Sequence, residues 1–269
     1  MKIVVKIGGS LMKEGTPDAL VADAAGRASS DQVVIVHGGG DVVTRTAERL
    51  GKVQRFVTSP EGIRSRYTDR ETADIYQMVM SGLLAKRLVL ALKKAGARGV
   101  SLSGVDGSIL QARRKERLVI VDERGRKVAI DGGYTGKISS VDPAVLDLLL
   151  ASGYLPVVSP VAVGEGSEPL NIDGDRAASA VASGIHAERI VFATDVEGLS
   201  LDGRLVSSLT PSEASSRLPK IGFGMQKKVM AAVEAVNAGV AEAIICSGTR
   251  ERPLAAALAH ESCTVISKR

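Results

Sequence analysis

Residues 3–10 read Ile-Val-Val-Lys-Ile-Gly-Gly-Ser, and residues 33–41 read Val-Val-Ile-Val-His-Gly-Gly-Gly-Asp. Each stretch is an apolar, β-branched run that ends in consecutive glycines, which is typical of a buried strand that turns tightly into a helix. Glycines at the carboxyl ends of parallel strands let backbone N–H groups approach an anion, and the following helix adds its positive end. Each loop alone could be only a tight turn, but together they predict one phosphate-binding cradle. Neither loop fits the P-loop or the GxGxxG dinucleotide pattern.

Further apolar strands recur along the chain, separated by segments with helical periodicity. This alternation predicts a mainly parallel sheet that is covered by helices on both faces. Thr68 and Glu71 have the spacing of a helix-capping box, and the apolar period that follows continues to about residue 95, with Gly82 as its weak point. The predicted strands are 3–7, 33–36, 99–102, 155–158, 189–193, 243–246 and 263–266.

Between residues 104 and 142 the pattern changes to short alternating runs that are separated by polar turns, such as 122–125. This change predicts antiparallel hairpins on an otherwise parallel α/β fold. The length of 269 residues exceeds the usual domain size of about 150 residues, but no proline-rich linker or internal repeat divides the chain. We therefore predict a single αβα sandwich domain over 1–269, with an N-terminal lobe to about residue 162 and a C-terminal lobe from about residue 163.

Composition excludes several classes of function. The net charge of +5 suits an acidic partner, but three Phe, four Tyr and no Trp supply little surface for base stacking, so no nucleic-acid partner is expected. No apolar run approaches the ~20 residues of a membrane span and no signal-peptide pattern is present, so we expect no membrane partner and a cytoplasmic location. The two cysteines, Cys246 and Cys263, lack metal-ligand spacing, and no metal site built by the protein is predicted.

Several charged residues stand in unusual places. Lys6 lies inside an apolar strand, where a lysine costs free energy unless its charge is used. Lys227 and Lys228 lie at the start of a predicted helix, where they oppose the helix dipole and favour a nearby anion; a solvated surface pair is equally compatible. Asp173 and Asp175 precede another helix, and for Asp173 a capping role is the simpler interpretation. A carboxylate beside two lysines and two glycine loops could hold the ammonium groups in place.

Seven ordered motifs resemble those of the amino acid kinases, and within them the N-acetylglutamate kinase branch. The similarity spans essentially the whole chain. It implies the amino acid kinase fold and the ATP-dependent transfer of a phosphoryl group to an amino-acid carboxylate. The motifs are KIGGS (6–10), VHGGGD (36–41), SRYTDRET (65–72), LSGVDG (102–107), NIDGD (171–175), ATDVEG (193–198) and GMQKK (224–228).

The resemblance implies a role for each matching position. Lys6 and Lys228 correspond to the catalytic lysines that neutralise the transferring phosphoryl group, and Asp175 to the aspartate that organises them. Arg66 and Asn171 correspond to residues that hold the amino-acid substrate, with Arg64 as the alternative to Arg66. The phosphate-facing loops correspond to Gly8, Gly9, Gly38, Gly39 and Gly40, and the nucleotide-binding loop to Thr194 and Asp195.

The chemistry that the resemblance implies agrees with these residue types. Phosphoryl transfer requires charge neutralisation and positioning more than covalent help, and lysines with backbone N–H groups provide both. A carboxylate acceptor is already ionised at neutral pH, so no general base is needed. The implied donor is ATP, and Mg²⁺ is expected to arrive on the nucleotide, because no carboxylate pair here has the spacing of a dedicated metal site.

The segment 58–68 departs from the Gly-x-Arg-Val-Thr form of ordinary N-acetylglutamate kinases. It resembles the kinases of lysine and arginine biosynthesis that act on aminoadipate or glutamate attached to LysW, a small acidic carrier protein. The basic residues of the predicted hairpins would attract such a partner, although a solvated hairpin surface has the same composition. Those residues are Arg113, Arg114, Lys115, Arg117, Arg124, Arg126 and Lys127.

The resemblance also implies a homodimer, because the chain begins at its first strand without the extra N-terminal helix of arginine-sensitive hexameric relatives. Two alternatives stay open on the sequence. One is an N-acetyl-L-glutamate 5-kinase that acts on the free acyl amino acid with the same fold and chemistry. The other is a non-catalytic nucleotide-binding protein of this fold, which should lack Lys6, Asp175 or Lys228; all three are present.

Overall fold

A computed structural model describes residues 1–268 of the chain. Its strands are β1 (Lys2–Ile7), β2 (Gln32–His37), β3 (Phe56–Thr58), β4 (Arg64–Arg66), β5 (Gly99–Ser103), β6 (Leu110–Arg114), β7 (Arg117–Val121), β8 (Lys127–Asp131), β9 (Gly136–Val141), β10 (Leu155–Ser159), β11 (Val161–Gly164), β12 (Pro169–Asn171), β13 (Arg189–Thr194), β14 (Ser200–Leu201), β15 (Arg204–Leu205), β16 (Ser208–Leu209), β17 (Glu242–Ser247) and β18 (Cys263–Ser267). The central sheet has the order β16-β18-β17-β13-β1-β2-β10-β5. Its strands pair in parallel except for the antiparallel pair β17–β18, which confirms the predicted mainly parallel sheet.

Helices pack on both faces of this sheet. They are α1 (Asp18–Arg27), α2 (Gly40–Arg49), α3 (Arg70–Gln77), α4 (Ala85–Lys94), α5 (Ala144–Ala151), α6 (Gly174–Gly184), α7 (Pro211–Arg217), α8 (Phe223–Asn237) and α9 (Pro253–Leu258). A π-helical segment, Met78–Leu84, joins α3 to α4. The αβα sandwich is therefore confirmed.

The alternation of side chains along β1 divides the interior into two apolar cores. Ile3, Val5 and Ile7 belong to the core under α1 and α4, whereas Val4 belongs to the core under α6 and α8. Successive residues of a strand point to opposite faces, so Lys6 lies on the same face as Val4. This register directs the lysine towards α6 and α8.

The predicted hairpins form, with one difference in pairing. Strands β7 and β8 pair antiparallel around a turn in which the Asp122 carboxylate accepts hydrogen bonds from the backbone N–H groups of Arg124 and Arg126. Strand β6 instead joins a second sheet of order β12-β11-β6-β9, parallel to β11 and antiparallel to β9. Strands β3 and β4 form a separate antiparallel pair.

The long helical segment begins with a different cap from the predicted one. Asp69, not Thr68, caps α3, and its carboxylate accepts a hydrogen bond from the backbone N–H of Thr72. The Thr68 hydroxyl is engaged elsewhere, because it accepts a hydrogen bond from the Asn171 side chain. Gly82, the expected weak point, lies in the π-helical segment.

The continuous helical stretch Arg70–Lys94 is long and apolar enough to cross a membrane by length and composition, and it is the one such stretch within residues 1–268. Its mean hydropathy is 1.4, and 44% of the window is buried inside the protein. Its buried residues pack against α1, β5 and β10. A core helix of a globular protein has the same properties.

Candidate active site

Two lysines, one from strand β1 and one from helix α8, form ion pairs with the same buried carboxylate. The Lys6 ammonium nitrogen lies 2.7 Å from Oδ1 of Asp175, and the Lys228 ammonium nitrogen lies 3.3 Å from Oδ2. The three side chains are 5%, 7% and 15% exposed for Lys6, Asp175 and Lys228. Two cations on one anion leave a net positive charge at the site, where water screens it little.

The ionisation of this group follows from its geometry. Burial by itself would raise the pKa of the Asp175 carboxyl, but the charges of Lys6 and Lys228 outweigh burial and lower that pKa from its ordinary value. Burial and the neighbouring Lys6 charge lower the pKa of Lys228. An incoming anion would relieve the repulsion between the two ammonium groups.

Three elements place these side chains. Lys6 comes from the central strand β1, and Asp175 lies in the first turn of α6, which the Asp173 carboxylate caps by accepting from the N–H groups of Asp175 and Arg176. Lys228 lies near the start of α8. Its neighbour Lys227 points elsewhere, since its ammonium donates to the carbonyl of Arg64 at 3.0 Å.

The two glycine loops touch each other through their backbones. A Cβ atom added to Gly38 would lie 2.8 Å from the nitrogen of Gly9, and one added to Gly9 would lie 3.1 Å from the nitrogen of Gly39. The N–H of Gly8 donates to the carbonyl of Ala193 at 2.9 Å. The backbones of the two glycine loops are therefore in contact at the carboxyl ends of β1 and β2. A side chain on Gly38 would not fit between them.

Arg66 and Asn171 lie on the N-terminal side of this site. The Arg66 guanidinium donates to the carbonyl of Gly40 and to the hydroxyl of Thr44, each at 2.8 Å, and also contacts Gln54. Both guanidinium groups lie over the ring of Phe56, that of Arg64 at 4.5 Å and that of Arg66 at 5.0 Å from its centroid, but Arg64 is the more exposed residue. Arg66 is thus the arginine that the structure brings to the glycine loops.

Thr194 and Asp195 end strand β13 beside the first glycine loop. The Thr194 hydroxyl donates to the Asp195 carboxylate at 2.9 Å, and a Cβ atom on Gly8 would lie 3.6 Å from Cα of Thr194. This hydrogen bond, together with contacts to Ser10 and the charge of Lys228, lowers the pKa of Asp195. The loop and the lysine pair therefore share one region.

A cluster of positive side chains lies next to the site; two of its members, Lys115 and Lys227, were noted in the sequence, but their grouping was not predicted. Burial lowers the pKa of Lys115, and the charges of Arg176, Lys137 and Lys227 lower it further, against the opposing charge of Asp173. We call Lys115, Lys137, Arg176 and Lys227 the cationic cluster. Only tertiary structure joins it, because its members come from four separate segments.

The basic hairpin residues are more fully paired than the sequence suggested. Arg113 contacts Glu165 at 3.2 Å, and Arg126 contacts Asp122 at 2.8 Å. Such exposed pairs reduce the local positive charge while adding little stability. Carboxylates also accompany the cationic cluster, since Arg176 contacts Glu234 at 3.2 Å and Lys227 lies 4.0 Å from Asp173.

His37 is a second residue that sequence reasoning missed. It ends β2 directly before the glycine triplet and is completely buried. Burial lowers the pKa of its imidazole to about 4, so the ring is neutral at pH 7. The signal was a lone polar residue at the end of an apolar strand.

Among residues 1–268, the structure groups no three His, Cys, Asp or Glu side chains in a way that could hold a metal ion.

Comparison with known proteins identifies the family. Residues 1–247 match the model of the amino acid kinase family. A LysW-aminoadipate/LysW-glutamate kinase of Saccharolobus islandicus (strain L.S.2.15 / Lassen #1) is 44% identical over 266 residues, which cover 98% of this chain and 99% of that protein. A protein of Cenarchaeum symbiosum (strain A), provisionally named for the same kinase, is 55% identical over 264 residues, or 98% of each chain.

Solved structures share the fold. The N-acetylglutamate synthase of Neisseria gonorrhoeae, complexed with coenzyme A and N-acetyl-glutamate, superposes with a TM-score of 0.81 at 27% identity; the match covers all of this chain and 59% of the synthase. Carbamate kinase from Giardia lamblia bound to AMP-PNP matches with a TM-score of 0.70 at 16% identity, over 100% and 98% of the two chains. By family match and by full-length similarity to the kinases above, this chain belongs to the amino acid kinase family.

Proposed function

We propose that this protein is an ATP-dependent kinase that phosphorylates the side-chain carboxylate of aminoadipate or glutamate whose amino group is blocked by attachment to the carrier LysW. The observation that carries the proposal is the buried Lys6–Asp175–Lys228 group beside two glycine loops. The names of relatives at 44% and 55% identity support the choice of acceptor. The reaction belongs to lysine and arginine biosynthesis.

The proposed transfer needs no proton to be removed. A carboxylate oxygen of the acceptor attacks the γ-phosphorus of ATP, a new oxygen–phosphorus bond forms, and the bond to the bridging oxygen breaks, so that ADP leaves with the electron pair. The products are an acyl phosphate and ADP. Lys6 and Lys228 neutralise the charge that spreads over the transferring group, and Asp175 positions both ammonium groups.

The glycine loops and the strand ends hold the nucleotide in this proposal. Gly8, Gly9 and residues 38–40 line the phosphates, and the donated N–H groups come from Gly9, Gly39 and Gly40, because those of Gly8 and Gly38 already donate to the carbonyls of Ala193 and Ile7. Thr194 and Asp195 bind the nucleotide in the C-terminal lobe (163–269). Magnesium enters on the nucleotide and is held chiefly by phosphate oxygens and water, since Asp175 is committed to two lysines. Calorimetry should detect no tight Mg²⁺ binding without nucleotide.

The acceptor occupies the N-terminal lobe (1–162), and Asn171 reaches it from β12, just beyond that lobe, through its contact with Thr68. Arg66 binds its free carboxylate from the α2 side, where the guanidinium already lies beside Gly40. Asn171, whose amide nitrogen donates to the Thr68 hydroxyl at 2.9 Å, presents its remaining polar atoms to the amino-acid backbone. Arg and Asn are suited to these roles, since they offer fixed planar donors to carboxylate and amide oxygens.

The cationic cluster supports a carrier-linked acceptor over a free one. Its four cations lie with two carboxylates, those of Asp173 and Glu234, so the cluster keeps a net positive charge. An acidic protein would compensate this charge and would be steered towards the site. The proposed partner is therefore the acidic carrier.

The test compares two acceptors in one enzyme. We expect ATP-dependent formation of an acyl phosphate, trapped by hydroxylamine, on carrier-linked aminoadipate or glutamate, with kcat/KM at least ten times that on N-acetyl-L-glutamate. A preference for N-acetyl-L-glutamate would make the protein a kinase of the free acyl amino acid. No transfer to any acceptor, with ATP still bound, would favour a non-catalytic nucleotide-binding protein.

The proposal includes a cytoplasmic homodimer. Exposed apolar side chains follow one helical stretch, with Met78 at 57%, Leu83 at 39% and Leu90 at 66% exposure. Burying such residues between two copies would remove apolar surface from water. Light scattering should give twice the monomer mass, and Leu90→Glu should reduce it to that of one chain.

A further inference from the structure

His37 connects the second glycine loop to two other parts of the fold. Its Nδ1 lies 3.0 Å from the carbonyl oxygen of Gly38, and its Nε2 lies 3.0 Å from the hydroxyl of Ser159. Ser159 ends β10 and is fully buried. The Ser159 hydroxyl also lies 3.2 Å from the carbonyl of Met80 in the π-helical segment. The phosphoryl-transfer steps proposed above use none of these groups.

Hydrogen-bond chemistry selects one tautomer of this imidazole. A neutral ring carries a single N–H, and the carbonyl of Gly38 can only accept. The N–H therefore lies on Nδ1 and donates to Gly38, which leaves Nε2 as an acceptor. The single proton of the Ser159 hydroxyl has two acceptors within reach, Nε2 at 3.0 Å and the carbonyl of Met80 at 3.2 Å, and we assign it to the nearer one, Nε2. The opposite tautomer would direct a nitrogen lone pair at the carbonyl oxygen. Met80 keeps a partner in this arrangement, since its carbonyl accepts from the N–H of Ala85.

The same loop is held from a second direction by the π-helical segment. Gly39 has a φ of 154°, a conformation that side-chain-bearing residues rarely adopt, and an added Cβ atom would lie 2.1 Å from Cδ1 of Leu84. Sulfur of Met80 would be 3.2 Å away. π-Helical turns inside helices occur frequently at functional sites.

The hydrogen bond from His37 to the Gly38 carbonyl also fixes the direction of the Gly39 N–H, because both groups belong to one peptide unit. The carbonyl of Gly38 and the N–H of Gly39 belong to one planar trans peptide, so they point in opposite directions. When the carbonyl is fixed on the imidazole, the N–H of Gly39 is directed away from the interior. The nitrogen of Gly39 lies at the contact with the first glycine loop, 3.1 Å from the Cβ position of Gly9.

We propose that His37 is a positioning residue that fixes the peptide between Gly38 and Gly39, so that the Gly39 N–H faces the transferring phosphoryl group, with the Ser159 hydroxyl holding the ring in place through Nε2. The inference rests on the kinase function proposed above. It assigns His37 no contact with substrate and no proton transfer.

Two matched substitutions separate positioning from simple structural support. In His37→Asn the side-chain amide can occupy the place of Nδ1 and donate to Gly38, whereas in His37→Gln the amide reaches the place of Nε2 and loses that bond. Both variants bury an amide and lose one of two hydrogen bonds, so their melting temperatures should fall by similar amounts. We expect His37→Gln to lose about 10- to 100-fold in kcat with little change in the KM for ATP, and His37→Asn to retain most of kcat.

A binding measurement makes the test independent of the acceptor. Aluminium fluoride with ADP mimics the transferring phosphoryl group, and we expect His37→Gln to weaken its binding at least tenfold relative to ADP alone, with His37→Asn close to the unmodified protein. Equal loss in both variants, or no loss in His37→Gln, overturns the inference. Absence of turnover on every acceptor, with this difference in binding intact, would overturn the acceptor and not the role of His37.

Ser159→Ala decides the matter if either His37 variant fails to fold. It removes the hydroxyl that anchors the ring at Nε2 but keeps the imidazole and Gly38. We expect a fall of several-fold both in kcat and in affinity for ADP with aluminium fluoride. Unchanged values for both would overturn the inference.

Discussion

The ammonium nitrogen of Lys6 lies 2.7 Å from a carboxylate oxygen of Asp175, although more than half of the chain lies between the two residues in sequence. Lys228 reaches the other oxygen of the same carboxylate. Together, the one buried carboxylate and the two ammonium groups carry a net positive charge. This is the environment that an incoming phosphoryl group requires.

Removal of either lysine should reduce the rate more than the binding of the acceptor. Lys6→Ala and Lys228→Ala should each lower kcat by about 10²–10³-fold, because their charge matters most when the phosphoryl group lies between donor and acceptor. Steady-state kinetics with both substrates varied would measure this. Lys227→Ala is the comparison, since that ammonium contacts Arg64 and not Asp175; it should affect the KM for the carrier far more than kcat. Comparable kcat for all three variants would contradict the lysine assignment.

Asp175→Asn should destabilise the protein at neutral pH by on the order of 3–5 kcal/mol, because it leaves two buried ammonium groups without their anion. Denaturant unfolding monitored by circular dichroism would measure the loss. Asp173→Asn is the control, since asparagine caps helices about as well as aspartate. A similar loss in both variants would show that the lysine contacts are not the cause.

The contribution of Asp175 to stability should depend on pH in a defined direction. Its pKa is lowered in the folded protein, so the stabilisation is fully present above the unfolded value of about 3.9 and is lost as the pH falls through the folded pKa. The difference in free energy of unfolding between the unmodified protein and Asp175→Asn should therefore be constant from about pH 5 to 7 and shrink in more acid solution. A difference that grows on acidification would reverse the sign of the proposed shift.

Gly38→Ala should impair nucleotide use, because its Cβ atom would lie 2.8 Å from the backbone nitrogen of Gly9 and would push the two loops apart. We expect kcat/KM for ATP to fall at least tenfold, since a displacement of about 1 Å can cost about 10²-fold. Gly26→Ala in helix α1 is the matched control, as nothing lies within 4 Å of its Cβ position. That substitution should leave activity intact and stabilise the helix by about 0.5–1 kcal/mol.

Charge reversal in the cationic cluster should act on the carrier-linked acceptor alone. Lys115→Glu with Lys137→Glu should raise the KM for the carrier-linked substrate and spare that for N-acetyl-L-glutamate, and the effect should weaken as salt shortens the Debye length from about 10 Å at 0.1 M to about 3 Å at 1 M. Lys93→Glu with Lys94→Glu, at the exposed end of α4, is the control with the same change in net charge. Equal effects on the two acceptors would mean that the cluster does not bind the carrier.

Local sequence patterns predicted most of the backbone. Each apolar run that was predicted as a strand of the central sheet lies in it, because short apolar runs with β-branched residues favour a strand that is buried on both faces. The start of α3 was less accurate. Thr68 and Asp69 are both good capping residues, and the choice between them depended on the distant side chain of Asn171, which takes the Thr68 hydroxyl.

The roles of adjacent residues were harder to separate. Lys227 and Lys228 look alike in sequence, and so do Arg64 and Arg66; family spacing favoured one member of each pair. In the structure, Lys228 meets Asp175 and Arg66 meets Gly40, whereas Lys227 and Arg64 contact each other. The local sequence determines which face of a helix or strand a residue occupies. Which distant residues pack against that face depends on the tertiary structure.

The sequence by itself determined the strands and the two glycine loops, because these follow from periodicity and from the conformations that glycine allows, whereas the set of site residues came from the resemblance of its motifs to those of the amino acid kinases. Tertiary structure alone decided that Lys6, Asp175 and Lys228 share one group of ion pairs, that the cationic cluster forms around Lys115, and that His37 binds both Gly38 and Ser159. The reason is physical. A local pattern fixes the path of the backbone over a few residues, whereas contacts between distant side chains depend on strand order, on register and on the rotation of each packed helix.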